Sequence, residues 1–179
     1  TGPRNQLSLS PNSLGSSSQD VIIRASSTPT WLDCARRAVC KTMPEIVLAA
    51  GYQLRRVGTH IGAPVGTAVH AAAAHMLQGK RDGGYVPPFK QSQEVGMISL
   101  DAEFAKGEEI IWDATASSRN EAQQQITRMA LRYSIDVVPQ VDPILVEENL
   151  YAVYSPGYLI KGQLDDLVVI DELHRIRDT

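Results

Sequence analysis

The spacing of hydrophobic residues in the first half of the chain predicts one short strand followed by helices. Val21–Ile23 is a β-branched run, and the Ser/Thr/Pro stretch after it is typical of a helix N-cap. We therefore predict a helix over residues 31–43. A second helix is predicted over residues 65–78, where many alanines would allow very close packing against a sheet. Residues 79–88, with Gly-Gly and Pro-Pro pairs, predict a loop.

In the second half, the pattern changes from one more helix to strands. Ser118 and Glu121 form a capping box, which opens a predicted helix that reaches about Ile135. Apolar, β-branched runs then predict strands with a turn at Ser155-Pro-Gly157 and another at Asp171-Glu172. The predicted strands are Leu145–Tyr154, Tyr158–Ile170 and His174–Thr179. This order of elements indicates an α/β protein.

Length and composition are those of an ordinary globular protein. The chain has 179 residues, of which 43% are hydrophobic and 21% charged, which fits one domain with a real core. The formal net charge of −3 does not indicate nucleic-acid binding, which would need local basic patches or a bound cation. We expect no membrane span and a cytoplasmic location, because the sequence has neither a run of about 18 apolar residues nor a signal-like segment. Residues 1–18 predict a flexible segment before a domain over residues 19–179.

Several residues in the chain are of the types that bind divalent cations. Asp165 and Asp178 lie in two apolar, strand-like runs, and we expect these strands to be neighbours. Glu147 and Glu148 lie on a third run, and His70 lies on the alanine-rich helix. Carboxylates with one histidine are hard ligands for Mg²⁺ or Mn²⁺, with the two aspartates expected within about 6 Å of each other. The pattern points to metal-dependent phosphodiester cleavage.

Each of these residues also has an ordinary structural interpretation. His70 could be a hydrogen-bonded, buried histidine, and Asp178 could be a simple strand-end residue. Asp165 lies among apolar neighbours, where an unpaired charge is costly, and metal binding would relieve that cost. Asp166 should point to the opposite face of the strand and be solvated or salt-bridged.

The remaining candidates are sorted by geometry. Glu147 and Glu148 alternate faces on a strand, so at most one of them can point into the site, and we choose Glu148 as the additional acid. His75 lies about 140° around the helix from His70 and should not share its site.

Four motifs occur in order along the chain. They are Trp31-Leu-Asp-Cys-Ala-Arg-Arg37, Gly66-Thr-Ala-Val-His70, Val146-Glu-Glu148 followed by Gly162-Gln-Leu-Asp165, and Ile176-Arg-Asp178-Thr179. Together they resemble the PD-(D/E)XK nuclease superfamily, in particular its RecB-like exonuclease branch. The last motif is similar to the start of Asp-x-Lys, with the lysine absent. The resemblance spans roughly residues 26–179, although residues 80–140 contribute little.

The resemblance implies a restriction-endonuclease-like core, with a central mixed β-sheet flanked by helices, of which the chain would contain the part up to the third core strand. It implies that Asp165 and Asp178 are catalytic and bind Mg²⁺ or Mn²⁺ together with His70, whose nitrogen shifts the preference toward Mn²⁺. The family's lysine would orient the attacking water or stabilise developing charge. It would stand one residue beyond Thr179, so we expect the chain to lack its C-terminal part.

The implied substrate is DNA, cut by an exonuclease during recombination, repair or phage DNA processing, and a recombination or replication protein could be a partner. Candidate phosphate contacts are Arg36, Arg37 and Lys41, although these residues would fit a solvated helix face equally well. Some RecB-like nucleases hold an iron–sulfur cluster. Cys34 and Cys40 cannot supply its four thiolates, so no cluster is expected here, and so few cysteines are typical of an intracellular protein.

A different class of protein also fits the sequence. The chain could be a catalytically inactive relative that binds DNA or a protein partner, and the absent lysine is the direct support for this alternative. The residues that follow Thr179 in the gene would discriminate between the two hypotheses, because a lysine followed by another helix and strand favours an enzyme.

Overall fold

The computed structural model describes residues 21–24, 28–55, 57–156, 158–170 and 172–177, and all structural statements refer to these residues. The predicted flexible segment 1–18 lies outside them. In chain order the elements are β1 Val21–Arg24, α1 Thr28–Asp33, α2 Ala35–Thr42, α3 Pro44–Ala49, β2 Thr59–His60, α4 Gly62–Gly83, α5 Phe89–Ala105, β3 Ile110–Ile111, α6 Arg119–Asp136, a 3-10 turn Val138–Gln140, β4 Asp142–Ser155, β5 Tyr158–Ile170 and β6 Leu173–Arg177. The predicted α/β class is confirmed.

The helix predicted over residues 31–43 is interrupted in the structure, which has three short helices over residues 28–49. Cys34 leaves the helical conformation (φ −153°, ψ 102°) and caps α2, where its Sγ accepts a hydrogen bond from the N–H of Arg37 at 3.5 Å. Pro44 begins α3, and a proline disfavours helical conformation in the residue before it, here Met43 (φ −135°, ψ 52°). These two local breaks divide the predicted helix.

The alanine-rich helix α4 is longer than predicted and occupies the centre of the fold. It begins at Gly62 with Pro64 in its first turn and continues to Gly83, so the first part of the predicted loop 79–88 is helical. It ends because Gly84 adopts a left-handed conformation (φ 67°) and donates its N–H to the carbonyl of Lys80. Neither α4 nor any other helix in the described part of the chain is long and apolar enough to cross a membrane.

Helix α5 was not predicted, and it packs closely against α4. Its sequence lacks a clear apolar stripe, and it begins directly after Pro88. The two helices approach each other closely at Gly96, where an added Cβ would lie 3.0 Å from the carbonyl oxygen of Ala68 and 3.3 Å from Cβ of Ala72. The small residues of α4 therefore face a neighbouring helix as well as the sheet.

Gly96→Ala is expected to lower the free energy of unfolding by about 1–3 kcal/mol, because the new methyl group must push two tightly packed helices apart. Gly66→Ala is the matched control, since Gly66 lies in the second turn of α4 and nothing lies within 4 Å of its added Cβ. That change should stabilise the protein by up to about 1 kcal/mol through helix propensity. Urea denaturation measures both, and equal effects would mean that the α4–α5 contact is looser than described.

The third long helix, α6, confirms Ser118 as the predicted N-cap, while the reciprocal bond of the capping box goes to Ser117 in place of Ser118. Ser118 caps the helix and its Oγ accepts a hydrogen bond from the N–H of Glu121 at 3.3 Å. The Glu121 side chain accepts from the N–H and Oγ of Ser117 at 2.7 and 2.8 Å. After α6, the Nζ of Lys80 donates to the carbonyls of Val138 and Val141 at 3.0 and 2.6 Å. These hydrogen bonds connect the C-terminal end of α4 to the residues just before β4.

The sheet is mixed, as predicted. β4 and β5 form a long antiparallel hairpin over the two runs chosen from the sequence. β4 pairs with one edge of β5 along nearly its whole length. Two short strands pair with the other edge. There β1 pairs in parallel with residues 158–161, and β6 pairs antiparallel with residues 166–170. A separate pair of short parallel strands, β2 and β3, lies before α4 and α6.

Two clusters of buried apolar side chains meet along α4. One joins α4 to α6, β4 and β5 and includes Met76 and Val146. The other joins the first half of α4 to α5 and α6 and includes Leu100 and Ile126. Burial of each such side chain stabilises the fold by about 1.5–3 kcal/mol. This packing fixes the position of α4 relative to the β4–β5 hairpin.

Candidate metal site

Helix α4 and strand β5 bring His70 and Asp165 together. Nδ1 of His70 lies 3.3 Å from Oδ2 of Asp165, with side-chain exposures of 34% and 19%. The two side chains are thus partly shielded yet open to a small ion. Two residues that the sequence assigned to one site are neighbours in the structure, while their role as metal ligands stays a prediction.

Glu147 is the third member of this group, which we name the His70 cluster. One ligand atom from each of His70, Glu147 and Asp165 lies within 4.8 Å of the other two. Residues on both sides of Glu147 and Asp165 are paired in register, so these two residues lie opposite each other on β4 and β5. Glu147 has a φ of 54°, which residues other than glycine rarely adopt. Backbone strain of this kind is concentrated at functional sites.

The carboxylates of Glu147 and Asp165 in the His70 cluster repel each other, and a bound cation would relieve this repulsion. Burial raises the pKa of Glu147, and the nearby charge of Asp165 acts in the same direction. A hydrogen bond donated by Nε2 of Gln163 to Oε2 of Glu147, together with His70, partly lowers that pKa. A divalent cation would favour the ionised form of both carboxylates.

The donor set also fits a metal by distance. Bonds from a Mg²⁺-sized ion to its ligands are about 2.1 Å, so ligand atoms around one ion lie within roughly 4.3 Å of each other. The separations in the His70 cluster, all within 4.8 Å, therefore require only small side-chain movements. One imidazole nitrogen with two carboxylates suits Mn²⁺ better than Mg²⁺, which prefers oxygen ligands.

The choice of Glu148 as the additional acid is corrected by the geometry. Its carboxylate lies 3.8 Å from the guanidinium of Arg81 and is about half exposed, whereas Glu147 joins the His70 cluster. Glu147, and not Glu148, is therefore the glutamate of β4 that lies beside His70 and Asp165. Asp178, the other predicted catalytic carboxylate, lies outside the described residues, so its predicted distance of about 6 Å from Asp165 stays a prediction.

Asp166 is fully buried, which contradicts the expectation that it would be solvated. Neither carboxylate oxygen has a hydrogen-bond partner among the described residues. Burial raises the pKa of Asp166, the positive charge of Arg177 opposes that rise, and Asp165 adds to it. Arg177 stands opposite Asp166 on β6. The burial of this carboxylate is a tertiary effect that strand periodicity cannot show.

Asp166→Asn should raise the free energy of unfolding at pH 7 by about 1 kcal/mol, because an ionised, unpaired carboxylate is costly to bury. The pKa of Asp166 is higher in the folded protein, so its ionisation destabilises the fold progressively as the pH rises above the ordinary aspartate value. The advantage of the variant should therefore shrink toward pH 4. Urea denaturation at both pH values tests this, and a variant less stable than the parent at pH 7 would contradict it.

The other predicted residues lie apart from these contacts. Arg36, Arg37 and Lys41 are exposed on α2, which packs mainly against α1 and α3, and Arg37 forms an ion pair of 2.8 Å with Asp33. Their contact with DNA stays a prediction. His75 does not share the site of His70, as expected. Its Nδ1 lies 2.9 Å from Oγ of Ser92 on α5, so it links two helices.

Comparison with known proteins does not add a family to this picture. A scan against protein-family models, a search of curated proteins and a search of solved structures each gave no match. The function of the site is therefore inferred from the ligand atoms of the His70 cluster and from the residues around them.

Proposed function

We propose that this protein is a metal-dependent DNA nuclease of the RecB-like PD-(D/E)XK type, which hydrolyses phosphodiester bonds as an exonuclease. The observation that carries the proposal is the His70 cluster: one imidazole and two carboxylates from three separate elements converge within 4.8 Å. The order of a long helix carrying histidine, a hairpin carrying Glu147 and Asp165, and a further strand agrees with the restriction-endonuclease-like core that the motifs imply.

The metal in this proposal is Mn²⁺ or Mg²⁺, held by His70, Glu147 and Asp165. When bound, such an ion lowers the pKa of a coordinated water and stabilises negative charge on the phosphate. The protein contributes the orientation of the ligands. The carboxylate of Asp165 faces Nδ1 of His70 and fixes the ring, and the Gln163 amide orients Glu147 and favours its ionised form.

Asp178 lies outside the described residues and enters the proposal through the sequence motif, which implies that its carboxylate is a further metal ligand. In that motif a lysine stabilises the developing charge.

The proposal is tested with protein expressed from its complete gene and a DNA oligonucleotide labelled at either end. Cleavage is expected in Mn²⁺, more weakly in Mg²⁺, and none in EDTA, with activity restored when Mn²⁺ is added back. Shortening from one labelled end distinguishes exonuclease from internal cutting. Absence of both cleavage and saturable Mn²⁺ binding by calorimetry would overturn the proposal.

A further inference from the structure

Strand β4 forms an edge of the four-stranded sheet. Among the described residues it pairs with β5 alone, whereas β5 is paired on both of its edges. The outer edge of β4 therefore presents a row of backbone N–H and C=O groups without a partner strand in this part of the chain. Such an edge is a template on which another strand can pair.

The two halves of β4 differ in how this edge is protected. The half near the His70 cluster contains Pro143 with a register shift directly after it, the positive φ of Glu147 and the charge of Glu148. Proline, irregular backbone and charge are the features by which proteins keep edge strands from pairing. Residues 149–153, which we name the distal edge, have the sequence Asn-Leu-Tyr-Ala-Val and none of these features. Their register with β5 is regular, and the next shift comes after Val153.

The distal edge is also uncovered on both faces of the sheet. All five of its residues are exposed, with fractions of 47% for Leu150, 53% for Tyr151 and 64% for Val153. Successive side chains of a strand point to opposite faces, so apolar side chains meet solvent on both. An uncharged, β-prone segment with two exposed faces and an unpaired edge is typical of a surface that associates with another strand.

A second copy of this chain fits the distal edge, because the segment is complementary to itself. In an antiparallel pairing about a two-fold axis at Tyr151, this residue meets its own copy, Leu150 meets Ala152, and Asn149 meets Val153. Aromatic side chains that lie directly opposite each other on two strands stabilise the pair. The arrangement uses every residue of the distal edge and no residue of the protected half.

The charges of β4 select this antiparallel arrangement. About the same axis, Glu148 lies opposite position 154 and Glu147 lies opposite Ser155, so each glutamate meets an uncharged residue. A parallel pairing in register would instead place each glutamate beside its own copy, and like charges opposite each other destabilise a sheet.

We infer that the distal edge is a homodimer interface, in which β4 of one copy pairs antiparallel with β4 of a second copy around Tyr151. The two four-stranded sheets then form one continuous sheet. Four residues separate Glu147 from Tyr151, so the two copies of Glu147 would be about 26 Å apart along the strands. The inference depends neither on metal binding nor on nuclease activity.

The register is tested by disulfide cross-linking of protein expressed from its complete gene. Cys34→Ser and Cys40→Ser remove the native thiols, and serine is a good N-cap in place of Cys34. One cysteine at a time is then placed at positions 150, 151, 152 and 153, and the protein is oxidised in EDTA. Only the residue on the axis meets its own copy, whereas the two copies of residue 150 or 152 lie about 8 Å apart, beyond disulfide reach. Non-reducing electrophoresis should show most dimer for Tyr151→Cys.

The interface is tested separately by sedimentation of the parent and two lysine variants over a range of concentrations, again in EDTA. The parent should associate reversibly from monomer to dimer. Ala152→Lys should weaken the association at least about tenfold, because it charges the paired edge and brings two lysines close together. Ile98→Lys is the matched control, since Ile98 is exposed on α5 and receives the same charge away from β4. It should associate like the parent, and circular dichroism should show both variants folded.

Three results would overturn the inference. They are a parent that is monomeric at every concentration, an association that Ala152→Lys leaves unchanged, and cross-linking that is as strong at positions 150, 152 and 153 as at Tyr151→Cys. A monomeric parent would mean that another part of the chain or a different protein covers the distal edge. The nuclease proposal stands or fails apart from these results, because all of them are obtained without metal or DNA.

Discussion

Asp165→Asn is expected to lower Mn²⁺-dependent DNA cleavage at least about a thousandfold, because charge stabilisation by a bound metal is worth several kcal/mol and each 1.4 kcal/mol is a factor of ten. Asp165 faces His70 at 3.3 Å and stands opposite Glu147, so its loss removes the central ligand of the cluster. Initial rates of release from an end-labelled oligonucleotide measure the effect. Calorimetry should show weaker Mn²⁺ binding by the same variant.

The neighbouring residue provides the control. Asp166→Asn changes the same chemical group one position along β5, but Asp166 is fully buried and is not one of the three residues of the His70 cluster. This variant should cleave at the parent rate and unfold at a higher urea concentration. Equal losses of cleavage in the two variants would mean that the orientation of β5 is wrong.

Glu147→Gln is expected to lower cleavage about a hundredfold, because a neutral amide oxygen is a much poorer metal ligand than a carboxylate and the orienting bond from Gln163 is altered. Glu148→Gln is the matched change on the next residue. Its carboxylate makes only a half-exposed contact with Arg81, and such surface pairs contribute about 0–1 kcal/mol.

Circular dichroism and urea denaturation should show both glutamate variants folded. The rates are then compared at saturating and at limiting Mn²⁺, since loss of a ligand weakens the metal affinity and partial recovery at high Mn²⁺ is expected for Glu147→Gln. A larger loss in Glu148→Gln than in Glu147→Gln would place the third ligand on the other side of β4, as the sequence first suggested.

The parts of the fold that the sequence predicted correctly are those with strong local signals. The Ser118 cap places the start of α6, and the long apolar runs predict the bounds of β5 correctly and those of β4 to within three residues. Local signals also explain the failures. Helix α5 lacks a clear apolar stripe and follows two prolines, so nothing in its own sequence distinguishes it from a loop. Its helical state depends on packing against α4.

The candidate site was predictable in composition but not in detail. His70 and Asp165 carry motif signals in the sequence, and the structure brings them together. The choice between Glu147 and Glu148 depends on the phase of β4 against β5 and on the positive φ of Glu147, neither of which sequence alternation contains. The burial of Asp166 is set by tertiary packing, which the local sequence does not show.

The most direct measurement of the central claim is a crystal structure of the protein with Mn²⁺, with the ion located by its anomalous scattering. The account predicts a peak bonded to an imidazole nitrogen of His70 and to carboxylate oxygens of Glu147 and Asp165, at about 2.2 Å from each. An ordered protein in saturating Mn²⁺ with no peak at these three residues, or with an ion held elsewhere, would contradict it.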